Sequence, residues 1–272
     1  MMKTPILWAI LALTKTKKGV FIMSRIPDIL WNKIETILPR KKSLRGRPEM
    51  DAKTAIEGIF YLLRTGGQWC ELPRYFGPPS TVHGKFLKWA RMGLFQLILK
   101  EAKEFYLSHS EENVWYAIDA SHSKAPLANF SGKSPVDRGK RGVKKTILVD
   151  RRGAPLAVVI GAGNIHDSKF FEEILPQIPS KELPQILAAD SAYDCKKLKK
   201  LSKNRNIAFI PTTNRRRNKD VHVVYPPHRW IVERTFGWLA SYRGLKTCWT
   251  KTKIAYESFC FFAASIQLFR MV

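Results

Sequence analysis

A chain of 272 residues, 45% of them hydrophobic and 25% charged, has the composition of a soluble globular protein and is long enough for two domains. With 47 lysines and arginines against 22 aspartates and glutamates, its net charge is +25; nucleic-acid phosphates are the usual partner of so basic a surface, and a ribosomal or membrane-surface protein is the alternative. The four cysteines lack zinc-finger spacing and are too few for a disulfide framework, which argues against both kinds of site and favours a reducing cytoplasm.

The N-terminal segment 1–23 contains a nine-residue apolar run, Pro5–Leu13, followed by three lysines. A helix needs about 20 apolar residues to span a bilayer, so this run is too short for a transmembrane segment. A secretory signal is the alternative, but no small-residue cleavage site follows the run. We therefore predict that 1–23 is an extension outside the folded structure and that the protein has no membrane partner.

Residues 24–110 have the apolar periodicity of helices and predict a small all-α domain. One stripe ends at Pro39, and a second begins near Asp51 and stops at Gly66-Gly67. After a break at Gly77–Pro79, Ser80 or Thr81 can cap a further helix that carries basic side chains. A helix, a turn and a basic helix are the layout of a helix-turn-helix, and an ordinary basic helical bundle is the alternative.

Residues 111–272 change to short β-rich runs that alternate with helices in their second half. This pattern predicts an α/β domain with a mixed five-stranded sheet flanked by helices. The predicted strands are Val114–Asp119, Thr146–Val149, Leu156–Ile160, Ile186–Ala189 and Ile207–Ile210. The predicted helices are one from Ser168 with Asp167 as its cap, then Cys195–Lys203, Arg229–Arg243 and Ser258–Met271.

Two aspartates close predicted strands, Asp119 the first and Asp190 the fourth, and both have small neighbours. A carboxylate at the end of an apolar strand is costly unless it is paired, hydrogen-bonded or bound to a metal. For each aspartate alone, a turn or helix-capping role is the ordinary alternative. Two in similar surroundings indicate a shared site, with room for ions and a phosphate.

A third carboxylate, Glu233, lies on the predicted helix Arg229–Arg243, at the edge of an apolar stripe formed by Val232, Phe236, Leu239 and Ala240. The alternative is a surface glutamate paired with Arg229 four residues earlier. Together, Asp119, Asp190 and Glu233 supply the oxygen ligands that Mg²⁺ or Mn²⁺ prefers. Two such ions about 4 Å apart activate the attacking oxygen and stabilise the leaving oxygen of a phosphodiester.

Four stretches of this chain resemble the IS5/IS4-type insertion-sequence transposases, a family of DDE transposases. They are AIDAS around Asp119, KKTILVDRRGAPLAVVIGAGNIHDSKFFEEIL, AADSAYD around Asp190, and RWIVERTFGWLASYRGL around Glu233. The likeness covers about 24–270. The family signature Tyr-x2-Arg-x3-Glu-x6-Lys is met only at Arg229 and Glu233, which agrees with the IS5 branch.

This resemblance implies an RNase H-like fold for 111–272 and a helix-turn-helix-like DNA-binding domain for 24–110. It implies a transposase that binds terminal inverted repeats and target DNA, acts as a homodimer, and cuts and joins strands in the nucleoid of a bacterium or archaeon. The catalytic and metal-binding residues carry over to Asp119, Asp190 and Glu233, with two Mg²⁺ or Mn²⁺ ions. An RNase H-like nuclease without transposition, or an inactive or domesticated helix-turn-helix DNA-binding protein, is the alternative.

Further residues are expected to contact DNA or to support the site. The DNA contacts are expected from Arg229 and Arg243 beside the catalytic glutamate, from Arg215, Arg216 and Arg217 in a basic loop, and from His83, Lys85 and Lys88 in the helical part. His166, in the run NIHDSK, is expected to lie close to the catalytic residues and support them.

Overall fold

Helices form the first part of the described chain, and a mixed sheet with flanking helices forms the second. The computed structural model describes residues 26–39, 49–110, 114–178, 183–213 and 230–272. The helices are α1 (Asp28–Ile37), α2 (Ala52–Thr65), α3 (Pro79–Arg91), α4 (Leu94–Ser108), α5 (Asp167–Ile174), α6 (Lys196–Lys203), α7 (Trp230–Ala240) and α8 (Lys253–Phe269). Among these described helices, none combines the length and the apolar character that crossing a bilayer requires.

The ends of α2 follow the local signals in the sequence. The Asp51 carboxylate caps the helix by accepting hydrogen bonds from the backbone N–H and the hydroxyl of Thr54, both at 2.8 Å. At the other end, Gly66 adopts the left-handed conformation with φ 69° and donates to the Leu62 carbonyl. Both ends confirm the sequence-based prediction for this helix.

The connection from α2 to α3 differs from the predicted turn. Residues 66–78 contain two short 3-10 turns, Trp69–Glu71 and Arg74–Phe76, so the link is longer than the three or four residues of a standard helix-turn-helix. The predicted cap at Ser80 or Thr81 is wrong, because α3 begins at Pro79 and has no side-chain cap. Proline suits the first helical position, since the N–H that it lacks would have no partner there.

Within the described residues, the sheet has six strands: β1 (Trp115–Lys124), β2 (Gly132–Lys133), β3 (Arg141–Asp150), β4 (Pro155–Ala162), β5 (Ile186–Ala189) and β6 (Ala208–Pro211). The main strand order is β4-β3-β1-β5-β6, and the two-residue β2 also pairs with β3. β1, β5 and β6 are parallel, and β3 is antiparallel to β1 and β4. The expected RNase H-like mixed sheet is confirmed, with β2 added to the five predicted strands.

β1 is longer than the apolar run that predicted it. Its second half, Ala120–Lys124, is polar, but it pairs with β3 as far as the Lys124–Gly142 partners. The prediction that Asp119 closes its strand is therefore wrong, because Asp119 lies in the middle of β1, opposite Ile147. Pairing with a partner strand of ten residues extends β1 beyond its hydrophobic residues.

Helices cover both faces of the sheet. Lys144 on β3 reaches α5 on one face, where its Nζ lies 2.8 Å from the Asp167 carboxylate. The next residue, Lys145, points to the opposite face and donates to the Leu245 carbonyl, which follows α7. The predicted cap of α5 is also wrong: His166 caps this helix by accepting from the Ser168 N–H, while Asp167 lies in the first turn and pairs with Lys144.

The long apolar helix α8 joins the helical part to the sheet. It packs against α4 and against β4, and its Phe262 ring lies 5.9 Å from Phe60 on α2 and 5.5 Å from Phe95 on α4. The buried residues of both parts belong to one hydrophobic cluster. The segments predicted as two domains, 24–110 and 111–272, thus share a core within the described residues.

Candidate active site

Strand register places Asp119 and Asp190 side by side. β1 and β5 are parallel and pair Ile118 with Ala189, so the next residue of each strand is one of the two aspartates. Asp119 accepts a hydrogen bond from the Ala120 N–H at 2.8 Å, and Asp190 accepts one from the Ser191 N–H at 2.6 Å. Both side chains are partly buried. Asp190 closes β5, as predicted, and caps the 3-10 turn Ser191–Tyr193.

The sheet face that carries Asp119 is the face that α7 covers. Alternate residues of a strand share a face, so Asp119 lies on the same side as Ser123. The Ser123 hydroxyl donates to the Leu245 carbonyl just after α7, and α7 itself packs against β1 and β3. Glu233 is therefore carried by a helix on the same side of the sheet as Asp119.

The orientation of α7 differs from the predicted one. Its buried side chains are Ile231, Val232, Thr235 and Leu239. Thr235 explains this orientation, because its hydroxyl donates to the Gly153 carbonyl at 2.8 Å and so turns this side of the helix toward the β3–β4 turn. Phe236 is only partly buried and Ala240 is exposed, so the predicted stripe is wrong at these positions. Glu233 lies away from the buried side and is exposed.

The donor chemistry at the two aspartates suits a hard divalent cation, because adjacent carboxylates supply oxygen ligands without cysteine or histidine. Within the ranges that the structure describes, no group of three His, Cys, Asp or Glu side chains has the arrangement of a metal site. The strand register thus brings Asp119 and Asp190 together, and Glu233 lies on the helix that covers their face of the sheet. The Glu233 carboxylate does not complete a three-residue metal site with the two aspartates in the described structure.

Tyr193 is a buried residue of this region that the sequence did not single out. Its ring packs near Phe171, with centroids 6.2 Å apart. Burial raises the pKa of the Tyr193 hydroxyl well above its usual value, and the nearby carboxylates of Asp167, Asp119 and Asp190 raise it further. Tyr193 thus packs on α5 from the 3-10 turn that Asp190 caps. The only sequence signal was its position three residues after the strand-ending aspartate.

The basic residues predicted on α3 have different environments. Lys88 is exposed. Lys85 lies 2.7 Å from the Glu49 carboxylate and over the Trp89 ring, and its side chain is only 10% exposed. His83 stacks on Trp69 with centroids 4.5 Å apart, and burial lowers the pKa of its imidazole. Of these three, Lys88 is the most accessible to a DNA phosphate.

The remaining predicted residues lie elsewhere on the chain. Arg243 is exposed in the 3-10 turn Arg243–Leu245 that follows α7. His166 is exposed, and its Nδ1 lies 3.0 Å from the Ser168 hydroxyl, as expected for its capping role. Arg215, Arg216, Arg217 and Arg229 lie outside the described residues.

Two family descriptions match this chain, in adjoining segments. Residues 26–99 match "Putative transposase of IS4/5 family", and residues 114–266 match "Transposase DDE domain". The second match alone spans more than half of the chain and includes Asp119, Asp190 and Glu233.

Two curated relatives are similar over parts of the chain. The putative transposase for insertion sequence element IS402 from Burkholderia cepacia is 29% identical over 124 residues, which are 43% of this chain and 57% of that protein. The uncharacterized protein y4sN from Sinorhizobium fredii (strain NBRC 101917 / NGR234) is 22% identical over 98 residues, 36% of this chain and 74% of that protein. The alignment thus spans little more than half the length of the IS402 relative.

Two solved structures align over most of the chain at low similarity. The piggyBac transposase synaptic complex with hairpin DNA aligns with a TM-score of 0.41 and 10% identity, over 89% of this chain and 69% of that one. The Mos1 strand transfer complex aligns with a TM-score of 0.28 and 8% identity, over 86% and 81% respectively.

Proposed function

We propose a function for this chain from its family, since it belongs to the IS4/IS5-type DDE transposases. In this proposal it binds the terminal inverted repeats of a mobile DNA element and cuts and joins DNA strands there. The observation that carries the proposal is the register of β1 and β5, which sets Asp119 beside Asp190 on neighbouring parallel strands. A homodimer is part of the proposal, because two element ends have to be held together.

In the proposed site, Asp119 and Asp190 hold divalent cations, and Glu233 supplies the third carboxylate from α7. Two Mg²⁺ or Mn²⁺ ions, when bound, would activate the attacking oxygen and stabilise the leaving oxygen of the phosphodiester. The protein orients the ligands: the Ala120 and Ser191 N–H groups each hold one oxygen of an aspartate.

The test is Mg²⁺-dependent cleavage and joining of DNA that carries the inverted repeats flanking the reading frame. Asp190→Asn is a clean variant, because asparagine caps a helix as well as aspartate does and only the charge is lost. We expect Asp119→Asn, Asp190→Asn and Glu233→Gln each to lose roughly 100-fold or more in cleavage rate, since even residues that merely support metal ligands are worth up to that factor. Asp28→Asn on α1, an aspartate with a 91% exposed side chain, is the matched control.

Equal activity of wild type and Asp190→Asn would remove the assignment of Asp190. Wild-type protein that nicks such DNA but never joins it would be a nuclease without transposition. Protein that binds the repeats and does neither would be a DNA-binding protein alone.

The second part of the proposal is that α3 contributes to recognition of the repeats. Deletion of 24–110 is a poor test, because it would expose the apolar surface of α8 that packs on α4. Lys88→Gln combined with Arg91→Gln changes two exposed side chains on α3 and leaves the core intact. We expect this double variant to bind the repeats more weakly and with a smaller dependence on salt. Unchanged binding at every salt concentration would show that α3 does not contact the repeats.

A further inference from the structure

A hairpin continues at one end of the sheet, beyond the paired aspartates. β1 and β3 continue from the Asp119–Ile147 pair to the Lys124–Gly142 pair, and the chain between them carries β2. The segment 246–254 lies against this hairpin: Cys248 N–H donates to the Lys124 carbonyl at 2.7 Å, and Asn129 N–H donates to the Lys251 carbonyl at 2.9 Å. Residues 124–141 and 246–254 therefore form one continuous surface, which we call the hairpin surface.

The hairpin surface is strongly basic. Its two segments contain eight lysines and arginines and a single acidic residue, Asp137. The exposed cations are Lys124, Lys133, Arg138, Lys140, Arg141, Lys246, Lys251 and Lys253. Such a concentration of one charge at one end of the sheet fits a polyanion.

Large apolar side chains stand exposed among these cations. Trp249 is 59% exposed, Leu127 53% and Val136 70%. Trp249 lies between Lys246 and Lys251 in sequence. An exposed aromatic ring among lysines is the combination that stacks on an unpaired base while the cations hold the flanking phosphates.

The hairpin is held in shape by its own contacts. Arg141 donates from Nε to the Ser131 hydroxyl at 2.8 Å and from Nη2 to the Ala128 carbonyl at 2.6 Å. At the tip, Ser134 N–H donates to the Lys140 carbonyl at 2.8 Å, and Arg138 adopts a left-handed backbone with φ 49°. A non-glycine residue keeps that conformation only where its surroundings impose it. The surface is thus pre-organised for a ligand.

We propose that the hairpin surface contacts DNA next to the cleavage site, with its lysines on phosphates and Trp249 stacked on an unpaired base. This inference rests on the proposed function and adds to it a second contact region, separate from α3. Lys124 is five positions along β1 from Asp119, about 17 Å at the rise of a strand. A DNA strand that is cut at the paired aspartates therefore needs at least about five nucleotides, at 3.4 Å each, to reach the hairpin surface.

The experiment measures DNA affinity without divalent metal, at several salt concentrations, for blunt duplexes and for duplexes ending in a single-stranded overhang. The variants are the triple change Lys133→Gln, Lys140→Gln and Lys246→Gln, and the single changes Trp249→Ala and Trp249→Phe. Two controls match the triple variant: arginine at the same three positions, and glutamine at Lys196, Lys200 and Lys203, which are exposed on α6.

We expect the triple glutamine variant to bind both DNAs more weakly and its salt slope to fall by roughly 2 to 3, since each lost phosphate contact removes about 0.9. Arginine at the three positions should retain binding. Trp249→Ala should weaken binding to the overhang DNA by about 10-fold, the lower range for one stacked base, and leave the blunt duplex unaffected. Trp249→Phe should restore most of the loss. Losses confined to repeat DNA would assign the surface to the element end, and equal losses on unrelated DNA would assign it to the target.

An equal loss for the α6 glutamine variant would overturn the proposal, because affinity would then follow net charge and not this surface. A Trp249→Ala effect that is absent, or the same on both DNAs, would overturn the stacking contact. These failures differ from failure of the transposase proposal, in which wild-type protein would not act on repeat DNA at all. Urea unfolding of each variant shows that the fold is intact before affinities are compared.

Discussion

The hydrogen bond between Tyr106 and Asp150 links the helical part to the turn that supports α7, and Tyr106→Phe removes it alone. The Tyr106 hydroxyl donates to Asp150 Oδ2 at 2.6 Å, and both residues are 0% exposed. Oδ1 of the same carboxylate accepts from the N–H groups of Arg152 and Ala154, both at 2.9 Å. The change to phenylalanine leaves the ring in place and deprives a buried carboxylate of one donor.

The expected magnitude at pH 7 follows from the charge of the hydrogen-bond acceptor. A hydrogen bond to a charged group contributes about 1.5 to 3 kcal/mol, so we expect Tyr106→Phe to lower the free energy of unfolding by about 2 kcal/mol at pH 7. Burial, assisted by the hydrogen bond to Asp150, raises the pKa of Tyr106 from 10.0 to about 12. Burial is the largest cause of this rise, so the rise sets the pH range over which the contribution is lost and not the strength of the hydrogen bond.

The raised pKa also predicts how the stabilisation by Tyr106 changes with pH. Because the pKa of Tyr106 is higher in the folded state, its contribution is complete below about pH 10 and is lost as the pH rises through about 12. Urea unfolding of wild type and Tyr106→Phe across this range measures the difference. The difference in the free energy of unfolding between the two proteins should be constant up to about pH 10 and then disappear. Tyr75→Phe, at a residue that is 60% exposed, is the control and should change stability by less than about 0.5 kcal/mol. No difference at pH 7, or a gap that persists at pH 12, would refute the reasoning.

Three further changes test the packing around the site. Gly153→Ala should lower the free energy of unfolding by about 2 kcal/mol and slow cleavage. The reason is that Gly153 has φ 85° and an added Cβ would lie 2.8 Å from Thr235 Oγ1 on α7. Unaltered urea unfolding would contradict this prediction. Lys145→Met should stay within about 1 kcal/mol of wild type at pH 7, since a buried charge replaced by an apolar group is often neutral. Burial lowers the pKa of Lys145 below 10.5, so wild-type stability should rise as the pH approaches that value, and the same titration of the methionine variant should lack this rise. Phe262→Ala should lower the free energy of unfolding by about 4 kcal/mol. Because the helical part and the sheet share a core, circular dichroism and tryptophan fluorescence should still report one cooperative unfolding transition. Two separate transitions would show independent domains.

Local patterns predicted most of the elements. Asp51 and Gly66 end α2 through their own hydrogen bonds and backbone angles, which depend on neighbouring residues only. The alternating and apolar runs predicted five of the six strands in the described part of the chain, and Asp190 closes β5 as its run indicated. The family likeness rests on similar local runs, and the family matches confirm it.

Other features depend on partners that are distant in sequence. The polar half of β1 has no apolar pattern and exists because β3 pairs with it, which moved Asp119 from the strand end to its middle. The rotation of α7 is set by Thr235 on the Gly153 carbonyl, 82 residues earlier in the chain, and this contact leaves Glu233 exposed. The sequence predicted Lys85 as a DNA contact because it lies on a basic helix, but its ammonium group is paired with the Glu49 carboxylate.

The sequence by itself therefore determined the family and the order of elements, and it proposed the three candidate acids, since periodicity, capping and local motifs depend on neighbouring residues. Only the tertiary structure decided that Asp119 and Asp190 stand side by side, that α8 merges two segments into one core, and that the hairpin surface is continuous. Strand register, helix rotation and the meeting of remote segments are set by long-range hydrogen bonds and packing, which a linear pattern does not encode.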